Sequence, residues 1–474
     1  MKKTKLSAFI LALTMASGAL TACGAQNESI RSDSENSRQT EQKEDIVLTI
    51  AVNGTPDMQD VIDAFNAAEN GYRIEMKQYR ELTGADGLPI TYTDEEAQYA
   101  DMEILQDIIN TDEIDIICSQ SFFNNVYYEI LKNKGAYADL YQFMAEDTEV
   151  NTDTLNRHVL SLNEVDGKLC SLPTFYGITT MIGETQYVGT KENWTVDEFI
   201  SRWEQMPGNA TISNSRQSEN VYYVMLRNNL EAFVDHEHAQ VHFDSPDFKR
   251  LLEFCGSFES NHGQKGTYDY DAPQFVQEFY IDGFMGADGA AQGDFYDDGR
   301  RYTMVGFPSA DGDGAFLSDR AYSYAISAKS SPDEQKGAWE FIRSFVTYEY
   351  QMSHVIPLVD DGHPDGPRYS SEIGLCINNR AFEETAKGIM DGTYYGGTYE
   401  DKGKEYEITL PTQEDYERLT AYIQSIQRWE TRSHGPLWNI INEEIMYYFS
   451  GERTLDETVE LIQSRASIWI SEQS

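Results

Sequence analysis

The chain reads as an α/β protein built on a parallel sheet, and three observations predict it. Strand-like and helix-like segments alternate from residue 46 to residue 118. The first strand-like run, Ile46–Val52, is almost continuously apolar, as a buried parallel strand should be. The intervening helices open on well-formed capping signals. The chain's 474 residues also exceed one ordinary domain and suggest two.

The elements follow in order. Ile46–Val52 is the first buried strand. Thr55-Pro56 then opens a helix, with Thr as N-cap and Pro at its first position, and Met58, Val61, Ile62 and Phe65 recur at helical spacing. Asn70-Gly71 ends it. Tyr72, Ile74 and Met76 alternate with Arg73, Glu75 and Lys77 as a second strand. Thr93-Asp94-Glu95-Glu96 is a capping box for a helix carrying Tyr99, Met102, Leu105 and Ile109. Ile114–Cys118 is the third strand. This β-α-β-α-β order requires helical crossovers between parallel strands.

Further on, Gly167–Gly183 reads as a crossover between lobes, and Tyr302–Pro308 as a second crossover. Trp194–Phe199 contains a capping box on Thr195 and Glu198, with Trp194 and Phe199 placed as a hydrophobic staple. Ser331-Pro332-Asp333-Glu334 opens a helix bearing Ala338, Trp339, Phe341, Ile342 and Phe345, and Thr454–Glu457 opens the last helix. Trp194 is thereby structural, and Trp339 and Trp469 are expected in cores. There is no internal repeat.

The N-terminus reads as an export signal. Lys2, Lys3 and Lys5 precede an apolar run from Leu6 to Leu20, too short to span a bilayer. Leu20-Thr21-Ala22-Cys23 has the form of a lipobox, so residues 1–22 are expected to be cleaved and Cys23 lipidated. Residues 24–45 are polar and cannot bury enough surface to fold. As a coil they reach roughly 25 Å, a tether holding the body off a membrane.

A formal net charge of −44 repels nucleic acid and anionic lipid surfaces, which excludes a nucleic-acid role. Beyond Cys23, the cysteines Cys118, Cys170, Cys255 and Cys376 show no metal-ligand spacing and no evident pairing. Phosphate-binding and dinucleotide glycine motifs, a nucleophile elbow and a zinc-protease helix are all missing from the sequence. Asp311-Gly312-Asp313-Gly314 starts like a calcium loop but continues with Ala315 and Phe316, so it reads as a turn. His236-Glu237-His238 reads as a solvated hairpin rather than a metal site. No metal or cofactor is expected.

Several segments carry a family resemblance. They are the lipobox, Trp194–Phe199, Asp244–Phe248, Tyr324–Lys329, Ala338–Phe341, and Ile440–Glu444 through Phe449-Ser450-Gly451. In this order they are similar to the extracellular solute-binding lipoproteins of family 1, the sugar-binding components of ABC importers. Residues from about 355 to 410 match less well and look like an insertion. The resemblance implies the type II periplasmic-binding-protein-like fold: two α/β lobes joined by hinge crossovers and closing on a ligand. The expected division is 46–172 plus about 306–345 for lobe 1, and about 173–305 plus 346–474 for lobe 2. It also implies a monomer without catalytic residues that delivers a carbohydrate, expected to be an oligosaccharide, to permease subunits. A binding protein for peptides or another non-sugar solute, and a surface glycoside hydrolase using two carboxylates, stay open.

In open parallel sheets ligands sit beyond the carboxyl ends of the strands. That rule points to Asn53 after the first strand and to Gln120 and Ser121 after the third, as hydroxyl-binding groups or as helix caps. Phe175 and Tyr176 lie at the expected hinge, as the floor of a cleft or as packing across it. Tyr322 precedes a strand re-entering a lobe. Trp438 is placed before a C-terminal helix, where a sugar-stacking Trp fits the resemblance.

Overall fold

The computed structural model describes residues 45–53, 58–81, 90, 93–122, 126–226, 229–235, 238–261, 265–270, 272–283, 301–319, 322–355, 357–359, 368–370, 374–394, 398–401, 404–407, 410–429 and 435–473. The export signal, Cys23 and the tether through Glu44 lie outside them, as do Thr55-Pro56 and His236-Glu237.

The expected alternation is present. β1 (Ile46–Val52) is followed by α1 (Gln59–Ala67) and β2 (Tyr72–Gln78), which pairs parallel to β1 with Ile46 opposite Tyr72. α2 (Asp94–Asn110) opens on the capping box of Thr93 and Glu96. β3 (Ile116–Cys118) pairs parallel on the other side of β1, Ile50 opposite Ile116. Gly71 adopts φ 85°, the left-handed conformation that lets the chain turn from α1 into β2.

The chain then reaches β4 (Leu172–Pro173) and the long β5 (Phe175–Glu184). The staple ahead of α3 (Val196–Trp203) forms as expected: Thr195 and Glu198 close the capping box, and the Trp194 and Phe199 rings meet edge-on at 6.3 Å. β6 (Thr211–Ile212), α4 (Ser218–Leu226) and β7 (Gln274–Ile281) come next, followed by β8 (Tyr302–Met304), β9 (Phe316–Asp319) and β10 (Ser323–Ile326). α5 (Pro332–Ser344) opens on Ser331 and Glu334. β11 (Leu375–Cys376), α6 (Asn379–Met390), α7 (Gln413–Ser425), α8 (Gly435–Phe449) and α9 (Leu455–Gln473) complete the set that matters here.

Two sheets result. The first has the order β2-β1-β3-β10-β4, with β10 antiparallel to both of its neighbours. The second is organised on β5. β8 and β9 pair antiparallel along one edge of β5, while β7 and β11 pair antiparallel along the other. Flanked on both sides and covered on both faces, all ten residues of β5 are buried.

One apolar core is shared by both sheets: Ile50, Ile116 and Ile326 of the first meet Tyr176, Ile178 and Leu317 of the second, with Leu419 and Tyr422 of α7. The opposite faces have cores of their own. Ala51, Ile117 and Ala325 pack on Ile104 and Ile108 of α2, while Met181, Phe275 and Phe316 pack on Phe199, Ile441 and Ile445. Cys118, Cys170, Cys255 and Cys376 are buried free thiols.

The chain crosses between sheets at Thr174, the single residue between β4 and β5, inside the expected segment. The second crossing differs from expectation. Tyr302–Met304 pairs with β5 rather than leaving the lobe, and the chain rejoins the same edge of β5 at Phe316. It returns to the first sheet only between Asp319 and Ser323. The expected boundary near 306 is therefore corrected: residues 306–319 go with the second sheet. A short apolar run carries no mark of which sheet it will pair with.

Candidate functional site

Because β10 runs antiparallel to β3, its first residues lie at the same edge of the first sheet as the carboxyl ends of β1 and β3. Both crossovers leave from this edge. Its polar groups form a connected set. The backbone N–H of Asn53 donates to the Ser121 carbonyl at 3.0 Å, and an Arg80 Nη donates to the Asn53 carbonyl at 3.3 Å. Residues 119–121 form one tight turn after β3. The Ser119 hydroxyl donates to Asp319 Oδ2 at 2.9 Å and accepts the Ser323 N–H at 3.1 Å. Thr174 and Tyr322 then bond the two crossovers together.

Asn53 is 2% exposed. Its Nδ2 donates to the Ala97 carbonyl at 3.0 Å and to the Asp101 carboxylate, tying β1 to α2. Its Oδ1 is buried with no partner. Gln120 is half-buried on the turn. Ser121 is buried, and its hydroxyl accepts the Cys118 N–H at 3.2 Å. That bond closes the turn onto the end of β3.

Phe175 and Tyr176 are buried. Phe175 packs with Val355, Cys376 and Ala381, and Tyr176 sits in the shared core with Asn156 Nδ2 3.4 Å from its hydroxyl. Side chains cover both faces of this strand, so neither ring has a face left in solvent. Tyr322 is half-buried, its ring 5.9 Å from that of Tyr324. Burial pushes the Cys118 thiol at the end of β3 up to about 12, so it stays protonated.

Trp438 lies within α8 rather than ahead of it, since the helix begins at Gly435. It is half-buried and stacks on Tyr222, with centroids 4.9 Å apart and planes 9° apart. Tyr223, 41% exposed, stands edge-on to the same indole at 5.9 Å and 83°. The three rings form a right-angled aromatic corner. Of the three, only Trp438 stands out in the sequence. The Tyr222-Tyr223 doublet on a helix was the available signal, because adjacent helical residues point about 100° apart and only one of them can be core. Ser119, Thr174, Asp319 and Ser323 were also not singled out, since each gains its role from a partner on another segment.

Among the described residues no three His, Cys, Asp or Glu side chains gather as metal ligands, and no helix is long and apolar enough to cross a membrane.

The fold resembles solved structures at low identity. A periplasmic oligogalacturonide-binding protein from Yersinia enterocolitica aligns over 90% of this chain and 100% of its own, at 12% identity and a TM-score of 0.55. An extracellular solute-binding protein family 1 member from Alicyclobacillus acidocaldarius subsp. acidocaldarius DSM 446 aligns over 91% and 100%, at 10% identity and a TM-score of 0.51. These likenesses establish the fold of substrate-binding proteins, two α/β lobes joined by crossovers. A comparison with curated protein sequences gives no match. Residues 60–358, more than half of the sequence, match the family described as bacterial extracellular solute-binding protein, and the chain belongs to that family.

Proposed function

We propose that the protein is the substrate-binding component of an ABC importer, that it takes a carbohydrate of several rings between its two lobes, and that it acts without catalysis as a monomer. The observation that carries the carbohydrate reading is the aromatic corner of Trp438, Tyr222 and Tyr223. Sugar rings have apolar C–H faces that stack on aromatic rings, and Tyr223 leaves such a surface in solvent. The amides and hydroxyls at the strand ends, Asn53, Gln120 and Ser323 among them, are of the types that hydrogen-bond sugar hydroxyls. The lipobox at Leu20–Cys23 supports export and lipid anchoring on the outer face of the cell membrane, from which ligand passes to permease subunits.

A thermal-shift screen of mono- and oligosaccharides, with amino acids and short peptides as controls, tests the function. Ligand at a hundred times its Kd adds about 2.7 kcal/mol, enough to raise Tm by a few degrees. Shifts with peptides alone would keep the fold and overturn the carbohydrate assignment. Replacing Cys23 by Ala tests the anchor: the variant should leave the membrane fraction, and its retention there would contradict lipidation.

A further inference from the structure

We propose that Gln351 is a positioning residue for lobe closure: it fastens a third passage of the chain to the two crossovers and so limits the arrangements that the lobes reach. This rests on the reading that ligand is taken between the lobes. Between Phe345 and Val355 the chain passes from one sheet to the other. Phe345 stacks on Tyr324 of β10, with centroids 4.9 Å apart and planes 17° apart, whereas Val355 packs with Phe175 of β5, Cys376 and Ala381. The short helix Tyr348–Ser353 lies between them, and its Gln351 is 0% exposed. Gln351 Nε2 donates to the Thr174 carbonyl and, at 3.4 Å, to the Phe345 carbonyl, while its Oε1 accepts the Asn378 N–H at 3.0 Å. Asn378 in turn donates through Nδ2 to the Val346 carbonyl at 3.1 Å, and its Oδ1 caps α6 by accepting the Ala381 N–H.

Thr174 is thereby bonded to both other passages. Its N–H and hydroxyl meet the Tyr322 carbonyl, and its own carbonyl meets Gln351. A buried amide that releases one partner leaves polar groups unmet, so this node holds as a unit. Rings join the same segments. Tyr350 stands edge-on to Phe345 at 5.2 Å, and His354 lies 4.5 Å from Tyr350 and 5.7 Å from Phe175. A joint of two passages twists about the line between them; a third passage fastened beside them leaves fewer directions free. Apparent affinity scales with the fraction of molecules already in the binding-competent arrangement. Gln351 therefore acts on binding through the lobes rather than through the ligand.

The experiment measures the distance between nitroxide labels on the two lobes by pulsed electron resonance, in the full chain carrying Cys23→Ala and without ligand. The labels sit on Glu103→Cys in α2 and on Glu204→Cys just after α3, both exposed positions, while Cys118, Cys170, Cys255 and Cys376 are buried. The parent should give one narrow distribution. Gln351→Met keeps the length of the side chain, loses its hydrogen bonds, and should widen the distribution about twofold or more. Asn229→Ala removes another fully buried amide, which bonds the Pro308 carbonyl within the second lobe, and should leave the width unchanged. Where Gln351→Met does not fold, Tyr350→Leu loosens the same helix through its ring and should widen the distribution in its place. An unchanged width in the folded variant, or equal widening in Asn229→Ala, would overturn the assignment. No ligand enters this measurement, so its outcome is independent of the thermal-shift screen, and the hinge assignment and the carbohydrate reading fail separately.

Discussion

Thr174 donates twice to the carbonyl of Tyr322, through its backbone N–H at 2.9 Å and its hydroxyl at 3.0 Å. These two residues occupy the two crossovers, so the bonds hold the strands of the hinge together. Thr174→Val keeps the shape and the backbone bond and removes the hydroxyl. It should cost about 1 kcal/mol, seen as a lower urea midpoint at an unchanged slope. A midpoint equal to the parent's would show that the hydroxyl contributes nothing.

Asp147 anchors α5 to the first lobe. Its Oδ2 accepts from Trp339 Nε1 at 3.1 Å and from Arg343 Nε, and an Arg343 Nη reaches Oδ1 at 3.1 Å. Burial alone would raise its carboxyl; the Arg343 bonds and the backbone N–H groups of Val150 and Glu149 outweigh it and hold the group below its ordinary value. A depressed acid stabilises the fold above its unfolded value of about 3.9 and loses that contribution as pH falls through the lower folded value. Asp147→Asn should cost about 2 kcal/mol at neutral pH and much less at about pH 3. Equal losses at both would place the effect in packing rather than charge.

Asp313 works in the opposite sense. Arg428 Nη2 lies 2.6 Å from its Oδ1 and 3.8 Å from Asp311 Oδ1. Burial, then the bond to Asp311, pushes Asp313 up to about 7 despite the pull of Arg428. The folded chain therefore holds a proton here that the unfolded chain releases near pH 4, and stability should fall as pH rises between about 4 and 7. Unfolding free energies of the parent and Asp313→Asn across that range give the test. The parent's advantage should shrink as pH rises, and an advantage that grows would reverse the assignment.

Gly314 lets two segments touch. A Cβ there would lie 1.6 Å from the Phe307 carbonyl oxygen, in the excursion that β8 makes before returning as β9. Backbone cannot yield as a side chain does, so Gly314→Ala should destabilise by about 3 kcal/mol. Full stability by thermal melt would mean that this hairpin can shift freely.

Tyr223 is exposed and its neighbour Tyr222 buried, so the two separate binding from folding. Tyr223→Ala should weaken glycan binding about two- to tenfold, corresponding to the 0.5–1.5 kcal/mol range of an aromatic contact, with the melting temperature nearly unchanged. Tyr222→Ala should lower both. Undiminished glycan affinity in Tyr223→Ala would remove the corner from the site.

Local chemistry made most of the elements legible. The capping boxes at Thr93, Thr195 and Ser331 and the staple of Trp194 on Phe199 are set by residues within a few positions of each other, and all of them form. Strand alternation and apolar runs likewise identified β1, β2 and β3. The strand-end rule picked out the edge holding Asn53, Gln120 and Ser121 because parallel order alone determines which ends face the same way.

What the chain by itself could not decide was partnership at long range. Whether Tyr302–Met304 crosses between sheets or pairs with β5 depends on hydrogen bonds to residues more than a hundred positions away. Phe175 and Tyr176 became core because distant segments cover both faces of β5, Val355 and Ala381 over Phe175 and the shared core over Tyr176. Asp319 gains its place at the edge only when Ser119, two hundred residues earlier, donates to it. Elements and their caps are written in local patterns, whose contacts close within a turn or two. Only the tertiary structure decided which polar groups share one edge and which aromatics keep a face in water, because burial and pairing are properties of the assembled sheets.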